Sequence, residues 1–290
     1  MARSTRSPRP HHLARALGTS GRVGLAVAFG LGAVVAVLGF APARWLAAPV
    51  AQASGGKVQL ANARGTVWQG QADVLLTGGF DSQGRTALPG GLRWQLRPTW
   101  LGLPTANAPR GPALSLALNA PCCTPQGLAL WLQPGWGTLG VAVPAHQSQW
   151  PAALLAGLGT PWNTLQLQGQ LALHTPGLAL LIGTHSLRSE GSATLDVRDA
   201  ASRLSTLRPM GSYRLQWRGA TAGGPNGDGA TLTLTTQAGA LQLQGQGQWV
   251  AGRLRFEGVA EASPGREEAL ANLLNLLGRR QGARTLIKIG

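Results

Sequence analysis

Charged side chains are scarce in this 290-residue chain, because Asp, Glu, Lys and Arg make up only 12% of it, about half of the usual share. The chain therefore lacks the charged residues that cover the outer faces of helical bundles. Its polar positions are filled by Gln, Thr, Ser and Asn, and Thr in particular suits a pleated surface. Glycine (42 residues) and proline (19 residues) interrupt the chain often. The composition predicts short strands rather than long helices.

Histidine is also rare, and beyond the N-terminal region only His146, His174 and His185 remain. No two of them have the spacing of metal ligands, and neither an H-E-x-x-H nor a G-x-S-x-G pattern occurs. We interpret them as solvated strand or loop residues. The sequence predicts no enzyme, no catalytic or metal site and no cofactor. A hidden catalytic cluster around these histidines is the least favoured alternative.

The two cysteines, Cys122 and Cys123, are adjacent. A zinc site would need more ligands nearby, and the sequence has none there. Two buried thiols are the favoured interpretation, because free cysteine is commonly buried. A vicinal disulfide is the alternative, which a periplasmic location would permit.

A G-x-G-x-x-G pattern occurs at Gly135, Gly137 and Gly140. In a dinucleotide site this pattern follows a strand and opens a helix. Here Pro134 precedes it and the strand-like run 141–144 follows it. We therefore attribute the pattern to the high glycine content.

Acidic residues are absent from the first part of the chain, where the first one is Asp73. Five arginines lie within the first 22 residues, and they contribute to a formal net charge of +15. The other basic residues are scattered, without the Lys/Arg runs and interleaved aromatic residues of nucleic-acid-binding proteins. We predict a solvated basic surface and no nucleic-acid partner.

Residues 23–41 read VGLAVAFGLGAVVAVLGFA and carry no charge. A helix of this length, rising about 1.5 Å per residue, comes close to the hydrocarbon thickness of a bilayer. The basic residues precede it, so the positive-inside rule places the N-terminus in the cytoplasm. A cleavable signal peptide ending at Ala51-Gln52-Ala53 is the alternative. The predicted organisation is a basic cytoplasmic tail (1–22), a transmembrane helix in the lipid of the inner membrane (23–42), a linker (43–56) and a periplasmic β-rich domain (57–290).

Short runs that alternate apolar and polar residues follow the linker, and they predict half-buried strands. Gly or Pro separates nearly every pair, which favours an antiparallel meander or sandwich over βαβ units. The runs are 58–62, 92–96, 114–118, 165–168, 171–173, 213–217, 230–235, 241–244 and 253–256.

One helix is predicted near the C-terminus, with Ser263 as its N-cap and Pro264 in its first turn. Its buried face is expected to hold Leu270, Leu273, Leu274 and Leu277, which have helical spacing. Gly278 ends it, and a last strand follows over 285–289. A second short helical stretch is predicted within 150–158. The predicted fold class is mainly β: an N-terminal transmembrane helix, an antiparallel, curved or sandwich-like β domain, a short C-terminal helix and a final strand.

Ten tryptophans stand against one tyrosine. Core packing is the favoured explanation, because tryptophan buries a large area while its N–H can reach a partner. An apolar groove for a lipid or protein ligand is the alternative. The residues selected for packing or interaction are Trp68, Trp94, Trp162, Asn163, Tyr213 and Leu273.

Several segments together resemble one family, the type II secretion system protein N family of Gram-negative bacteria. They are GTVWQGQA (65–72), WQLRP (94–98), GLGTPWNTL (157–165), PMGSY (209–213) and NLLNLLGRR (272–280). The likeness runs from about residue 58 onward and includes the apolar segment upstream. The arginine-rich tail and the cysteine pair match nothing in the family pattern.

This resemblance implies an accessory component of the general secretion pathway, anchored in the inner membrane and exposed to the periplasm, and no enzymatic activity. The first functional hypothesis is a structural or interaction protein that contacts other secretion components, for example by strand addition. The alternative is a periplasmic lipid-binding module with an apolar β-sheet groove.

Overall fold

The computed structural model describes residues 19–79, 84–99, 111–184, 187–220, 229–250 and 253–290. The chain divides into two compact units, Met1–Ala41 and Pro42–Gly290. Most of the predicted basic tail and His185 lie outside the described residues.

Helix α1, Thr19–Gly39, forms the described part of the first unit. It covers most of the predicted span over 23–42 and ends at Gly39. Its apolar side chains Leu25, Phe29 and Val35 are exposed. Over the described residues, no helix combines the length and the hydropathy needed to cross a membrane.

The predicted linker over 43–56 is helical for most of its length. A 3-10 helix, Ala43–Leu46, leads into helix α2, Ala47–Ala53. Ala43 is buried against Ala72 and Trp94 of the following sheet. The small apolar residues of this segment favour helix, and burial of Ala43 stabilises it.

Antiparallel strands form the bulk of the second unit. Their bounds are β1 Val58–Gly65, β2 Gln69–Thr77, β3 Arg85–Ala87, β4 Leu92–Thr99, β5 Ala113–Asn119, β6 Leu128–Gly135, β7 Thr138–Pro151, β8 Gln168–Gly183, β9 Leu187–Ala201, β10 Gly211–Arg218, β11 Thr231–Gly239, β12 Leu241–Val250, β13 Arg253–Ala262, β14 Arg279–Gln281 and β15 Arg284–Ile289. They form one sheet in the order β1-β2-β4 through β13, then β15 and β14, with β3 beside β2. The predicted antiparallel meander is thus confirmed, and the strands are not divided between two hydrogen-bonded sheets as in a sandwich.

The alternating runs form strands as predicted, with one exception at 165–168. There, helix α3 spans Trp162–Leu165, and Gln166 follows in the left-handed region with φ of 42°. The Leu165 N–H donates to the Pro161 carbonyl, and the Leu165 side chain is buried. Tertiary burial of Leu165 therefore prevails over the local alternation, and β8 begins only at Gln168. The predicted helical stretch within 150–158 is a 3-10 helix, Ala152–Leu158.

Helix α4, Glu267–Leu277, is the predicted C-terminal helix, but it begins later than expected. Ser263 is not its N-cap, because Gly265 adopts a φ of 77°, which no helix residue has. The Gly265 N–H donates instead to the Glu267 carboxylate at 3.2 Å. The helix ends before Gly278, and the final strand β15 follows as predicted.

The apolar side chains of the second unit form three clusters. The first unites α4 with strands β9, β10, β12 and β13 around residues such as Leu273, Tyr213 and Ala260. The second joins β2 to the 3-10 helix Ala152–Leu158 through Val74 and Leu154. The third is centred on Trp94. Over β2, β4 and β5 the second and third clusters hold Val74, Trp94 and Leu118, which share one face of the sheet. The residues that alternate with them lie on the opposite face, which we call the open face.

The glycine pattern at 135–140 lies in a β-hairpin, and the strand-like run predicted after it belongs to β7. Strands β6 and β7 pair up to Gly135 and Thr138, so that Trp136 and Gly137 form the turn. Gly137 supplies the positive φ of 67° that this turn requires. The site therefore has no helix to receive a dinucleotide phosphate.

Candidate interaction surface

Trp94 is the most buried of the tryptophans selected from the sequence, with 6% of its surface exposed. Its indole N–H donates to the Val67 carbonyl at 3.0 Å. Its ring edge lies over Gly70, where a Cβ atom would stand only 2.5 Å from the ring. Trp94 thus packs the loop between β1 and β2 against β4.

The remaining selected residues lie in different parts of the second unit. Trp162 is 37% exposed and Asn163 is also exposed, both on α3, while Trp68 is half-buried. Tyr213 and Leu273 are buried in the first apolar cluster. The Tyr213 hydroxyl donates to the Leu241 carbonyl at 3.1 Å, and burial raises the pKa of this phenol. The structure therefore does not bring the six residues together into one site.

A β-bulge in β1 controls which side chains reach the open face of the sheet. The pairing register with β2 shifts between Ala61 and Arg64, and Asn62 adopts a φ of 52°. Because strand side chains alternate, Leu60 and Arg64 would otherwise share a face. The bulge re-aims the strand so that Ala63 packs in the third cluster while Arg64 lies across from Gln71 on the open face.

Four polar residues line up across β1, β2, β4 and β5 as a consequence. The register pairs Arg64 with Gln71, Gln71 with Arg93, and Arg93 with Asn119. We call these four residues the basic row. They line a groove of about 590 Å³, together with Gln69, Gln95, Gly65 and Gly70.

Neither arginine of the basic row has a carboxylate partner among the described residues. Asp73, the next residue along the same face of β2, instead accepts a hydrogen bond from the Asn62 amide at 2.8 Å. By contrast, the Arg214 guanidinium donates to Asp196 at 2.6 Å, and this hydrogen bond lowers the pKa of Asp196. The two arginines are therefore not ion-paired, and together with Asp73, which lines an adjoining groove with both of them, they carry a net charge of +1.

A second groove, of about 920 Å³, lies on the open face of β11, β12, β13 and β15. Its lining combines hydroxyl and amide side chains, such as Thr233 and Gln246 paired across β11 and β12, with apolar Val250, Val259 and Leu286. It differs from the apolar groove that the sequence offered as an alternative.

Cys122 and Cys123 form a vicinal disulfide, so the favoured prediction of two free thiols is wrong. Their turn is held by the Thr124 hydroxyl, which accepts the Ala120 N–H at 2.8 Å. The Cys123 carbonyl accepts the Gln149 N–H at 3.0 Å, which ties this turn to β7. The adjacency of the two cysteines in the sequence could not predict the disulfide, because the turn that holds them depends on contacts with a distant strand.

His146 is buried on β7, not solvated as predicted, and burial lowers the pKa of its imidazole. Its Nε2 atom has no hydrogen-bond partner among the described residues. His174 is exposed on β8. The described part of the chain contains no group of three His, Cys, Asp or Glu side chains able to hold a metal ion.

Exposed apolar side chains gather at one end of β7 and β8. Trp136 in the hairpin turn is fully exposed, and Leu139, Leu181 and Ile182 are each about two-fifths exposed. The register places Leu139 opposite Ile182. Elsewhere, Trp217 and Trp249 pack edge to face with their ring centroids 6.1 Å apart.

These features define a class of protein: an open antiparallel β-sheet protein that presents grooves and basic side chains on one face. The family model for type II secretion system protein N matches residues 56–287. The chain therefore belongs to the type II secretion system protein N family. Members of this family are components of a secretion system, and the family is not a known enzyme family. No curated protein and no solved structure matches the chain.

Proposed function

We propose that this protein is an accessory component of the type II secretion pathway that supports the export of folded proteins through protein–protein contacts in the periplasm. The observation that carries the proposal is the family match over residues 56–287. The architecture agrees with a contact role, because over β1, β2, β4 and β5 one face holds apolar clusters while the opposite face carries exposed polar side chains such as Arg64, Gln71 and Arg93.

The two ends of the sheet differ in how they could receive a partner strand. At the first edge, the 3-10 helix Ala43–Leu46 and helix α2 contact β1, and Pro42 forms a bridge with Thr66. At the second edge, β14 has only three residues and leaves the last residues of β15, including exposed Ile289, beyond its reach. Covered and very short edges discourage strand addition. The open face is therefore the favoured contact surface.

Inner-membrane attachment is part of this proposal. It rests on the uncharged run 23–41 and on the exposed apolar side chains of α1. Extraction of membranes with alkaline carbonate should leave the full chain in the pellet, and a variant lacking residues 1–42 but exported by a separate signal should be released. A C-terminal alkaline phosphatase fusion should be active if the second unit is periplasmic. An inactive phosphatase fusion, together with a fluorescent C-terminal fusion to a protein that fluoresces only in the cytoplasm, would contradict this orientation.

The secretion role is tested by deleting the gene from a strain that secretes a readily assayed hydrolase. We expect the hydrolase to accumulate in the periplasm of the deletion strain and to return to the medium on complementation. Photocrosslinking from positions 68, 119 and 162 should then yield adducts with components of the secretion apparatus. Equal secretion with and without the gene would contradict the proposal.

A lipid-binding module is the second candidate, and the exposed apolar end of β7 and β8 is the observation that favours it. Trp136 and Leu139 there are suited to an interfacial contact. The groove on β11 to β15 is not a purely apolar trough, since amide and hydroxyl groups line it beside apolar side chains such as Val259 and Leu286. Lipid co-purifying stoichiometrically with the protein, and lost in Trp136→Ser, would favour this candidate.

A further inference from the structure

The basic row places two guanidinium groups without an ion-pair partner where the sheet offers a groove. Arg64 and Arg93 are exposed, and neither guanidinium has a hydrogen-bond acceptor among the described side chains. Gln71 lies between them in the cross-strand register. Two positive charges on either side of one strand create a local positive potential that attracts an anionic partner.

The bulge in β1 is the structural device that creates the row. It turns Arg64 out of the apolar cluster and onto the same face as Arg93, although Leu60 of the same strand packs inward. The Asn62 side chain stabilises this arrangement through its hydrogen bond to Asp73. That bond orients the nearest carboxylate of the face towards Asn62, and neither arginine is ion-paired with it.

The spacing of the two arginines specifies the shape of the partner. Neighbouring strands lie about 4.8 Å apart, so residues on β1 and β4, with β2 between them, are separated by about 10 Å. In an extended peptide with the polyproline II conformation, which has three residues per turn and a rise of about 3.1 Å per residue, residues three positions apart lie on the same side and are separated by about the same distance. Amides of Gln69, Gln71 and Gln95 surround the arginines and suit the polar groups of a peptide backbone.

We propose that the basic row binds an acidic, extended segment of a protein partner, with two carboxylates about three residues apart on Arg64 and Arg93. This inference rests on the proposed function and specifies the chemistry of the partner. A peptide is favoured over a lipid headgroup because the groove combines the two arginines with the amides of Gln69 and Gln95 and with exposed, apolar Ala117. Such a mixed floor fits a chain that carries both carboxylates and apolar side chains.

The test measures binding of a synthetic probe to the full-length chain in non-ionic detergent. The probe is a ten-residue peptide with glutamate at every third position and threonine or valine between, and the control probe has glutamine in place of glutamate. We expect micromolar to millimolar binding of the acidic probe that weakens as salt is raised, because exposed charges are screened. Arg64→Gln and Arg93→Gln should each weaken it about threefold, and the double variant about tenfold.

A matched control comes from β13, where Arg253 and Arg255 are exposed and also lack carboxylate partners among the described residues. The variant Arg253→Gln/Arg255→Gln changes the net charge equally and should bind the acidic probe as the wild type does. Three results would overturn the inference: an equal loss of binding in this variant, equal binding of the glutamine probe, or no binding of the acidic probe at a concentration of about 1 mM. The inference would also be overturned if the protein bound anionic vesicles through Arg64 and Arg93 but did not bind the peptide.

Secretion measurements separate failure of this inference from failure of the proposed function. If the gene deletion blocks secretion while Arg64→Gln/Arg93→Gln secretes normally and still binds the probe, only the inference fails. If the deletion itself has no effect on secretion, the proposed function fails, whatever the peptide binds. We expect the double variant to reduce secretion and the β13 control to leave it unchanged.

Discussion

At the scale of single residues, Trp94 combines burial, a hydrogen bond and contact with a glycine. Replacement by alanine leaves a cavity and an unsatisfied Val67 carbonyl, so we expect Trp94→Ala to lower the free energy of unfolding by about 3–5 kcal/mol. Trp162→Ala is the matched control, because Trp162 lies exposed on α3, and it should cost less than about 1 kcal/mol. Urea unfolding of the full chain followed by circular dichroism measures both. Similar losses in the two variants would contradict the difference in packing.

His146 makes stability depend on pH. Burial lowers its pKa in the folded state below the ordinary value of 6.5, so the folded chain binds fewer protons than the unfolded chain. Stability is therefore retained above pH 6.5 and is lost as the pH falls from there through the folded-state pKa. In His146→Gln this acid-side loss should shrink, whereas His174→Gln, at an exposed position, should leave it unchanged. Midpoints of urea unfolding measured between pH 5 and pH 8 test this prediction. An equal fall of the midpoint with decreasing pH in His146→Gln and in the wild type would contradict it.

At the scale of secondary-structure elements, α4 docks through one apolar face. Leu273 is 2% exposed and lies among the residues of the first cluster, whereas Leu276 on the same helix is 45% exposed. Leu273→Glu buries an unpaired carboxylate, and we expect it to lower the free energy of unfolding by more than about 3 kcal/mol. Leu276→Glu introduces the same charge at an exposed position and should cost less than about 1 kcal/mol. Equal stability of the two variants would show that α4 is not docked by this face.

The elements that sequence alone could predict are those set by local pattern. Strands such as β4 and β12 follow from alternation, and α4 follows from leucine spacing. The exceptions depend on contacts that are distant in sequence: Leu165 is buried within α3 instead of starting a strand, and Gly265 shifts the start of α4. Strand register has the same origin, because one bulge at Asn62 decides on which face Arg64 lies. The basic row could therefore not be read from the sequence, in which Arg64, Gln71, Arg93 and Asn119 are far apart.

At the scale of the whole second unit, nearly every strand pairs with its neighbours in sequence, from β4 through β13. Such a meander resembles repeat architectures, in which stability is carried by nearest-neighbour contacts and can be lost locally. The clusters support this view, since the one around Trp94 holds residues from β1, β2, β4 and β5 while the one around Leu273 holds residues from α4 and the later strands.

Local loss of structure is the expected result of a cluster-specific change. Hydrogen exchange of the full chain, resolved by mass spectrometry of its peptides, should show faster exchange in β1, β2, β4 and β5 for Trp94→Ala. In Leu273→Glu the faster exchange should fall instead in α4 and β10 to β13, with β1 and β2 protected as in the wild type. The reason is that neither cluster shares a residue with the other, so opening one removes no apolar contact from the other. Uniformly faster exchange in either variant would show that the sheet unfolds as one cooperative unit, and the contact surface on β1 to β5 would then depend on the docking of α4.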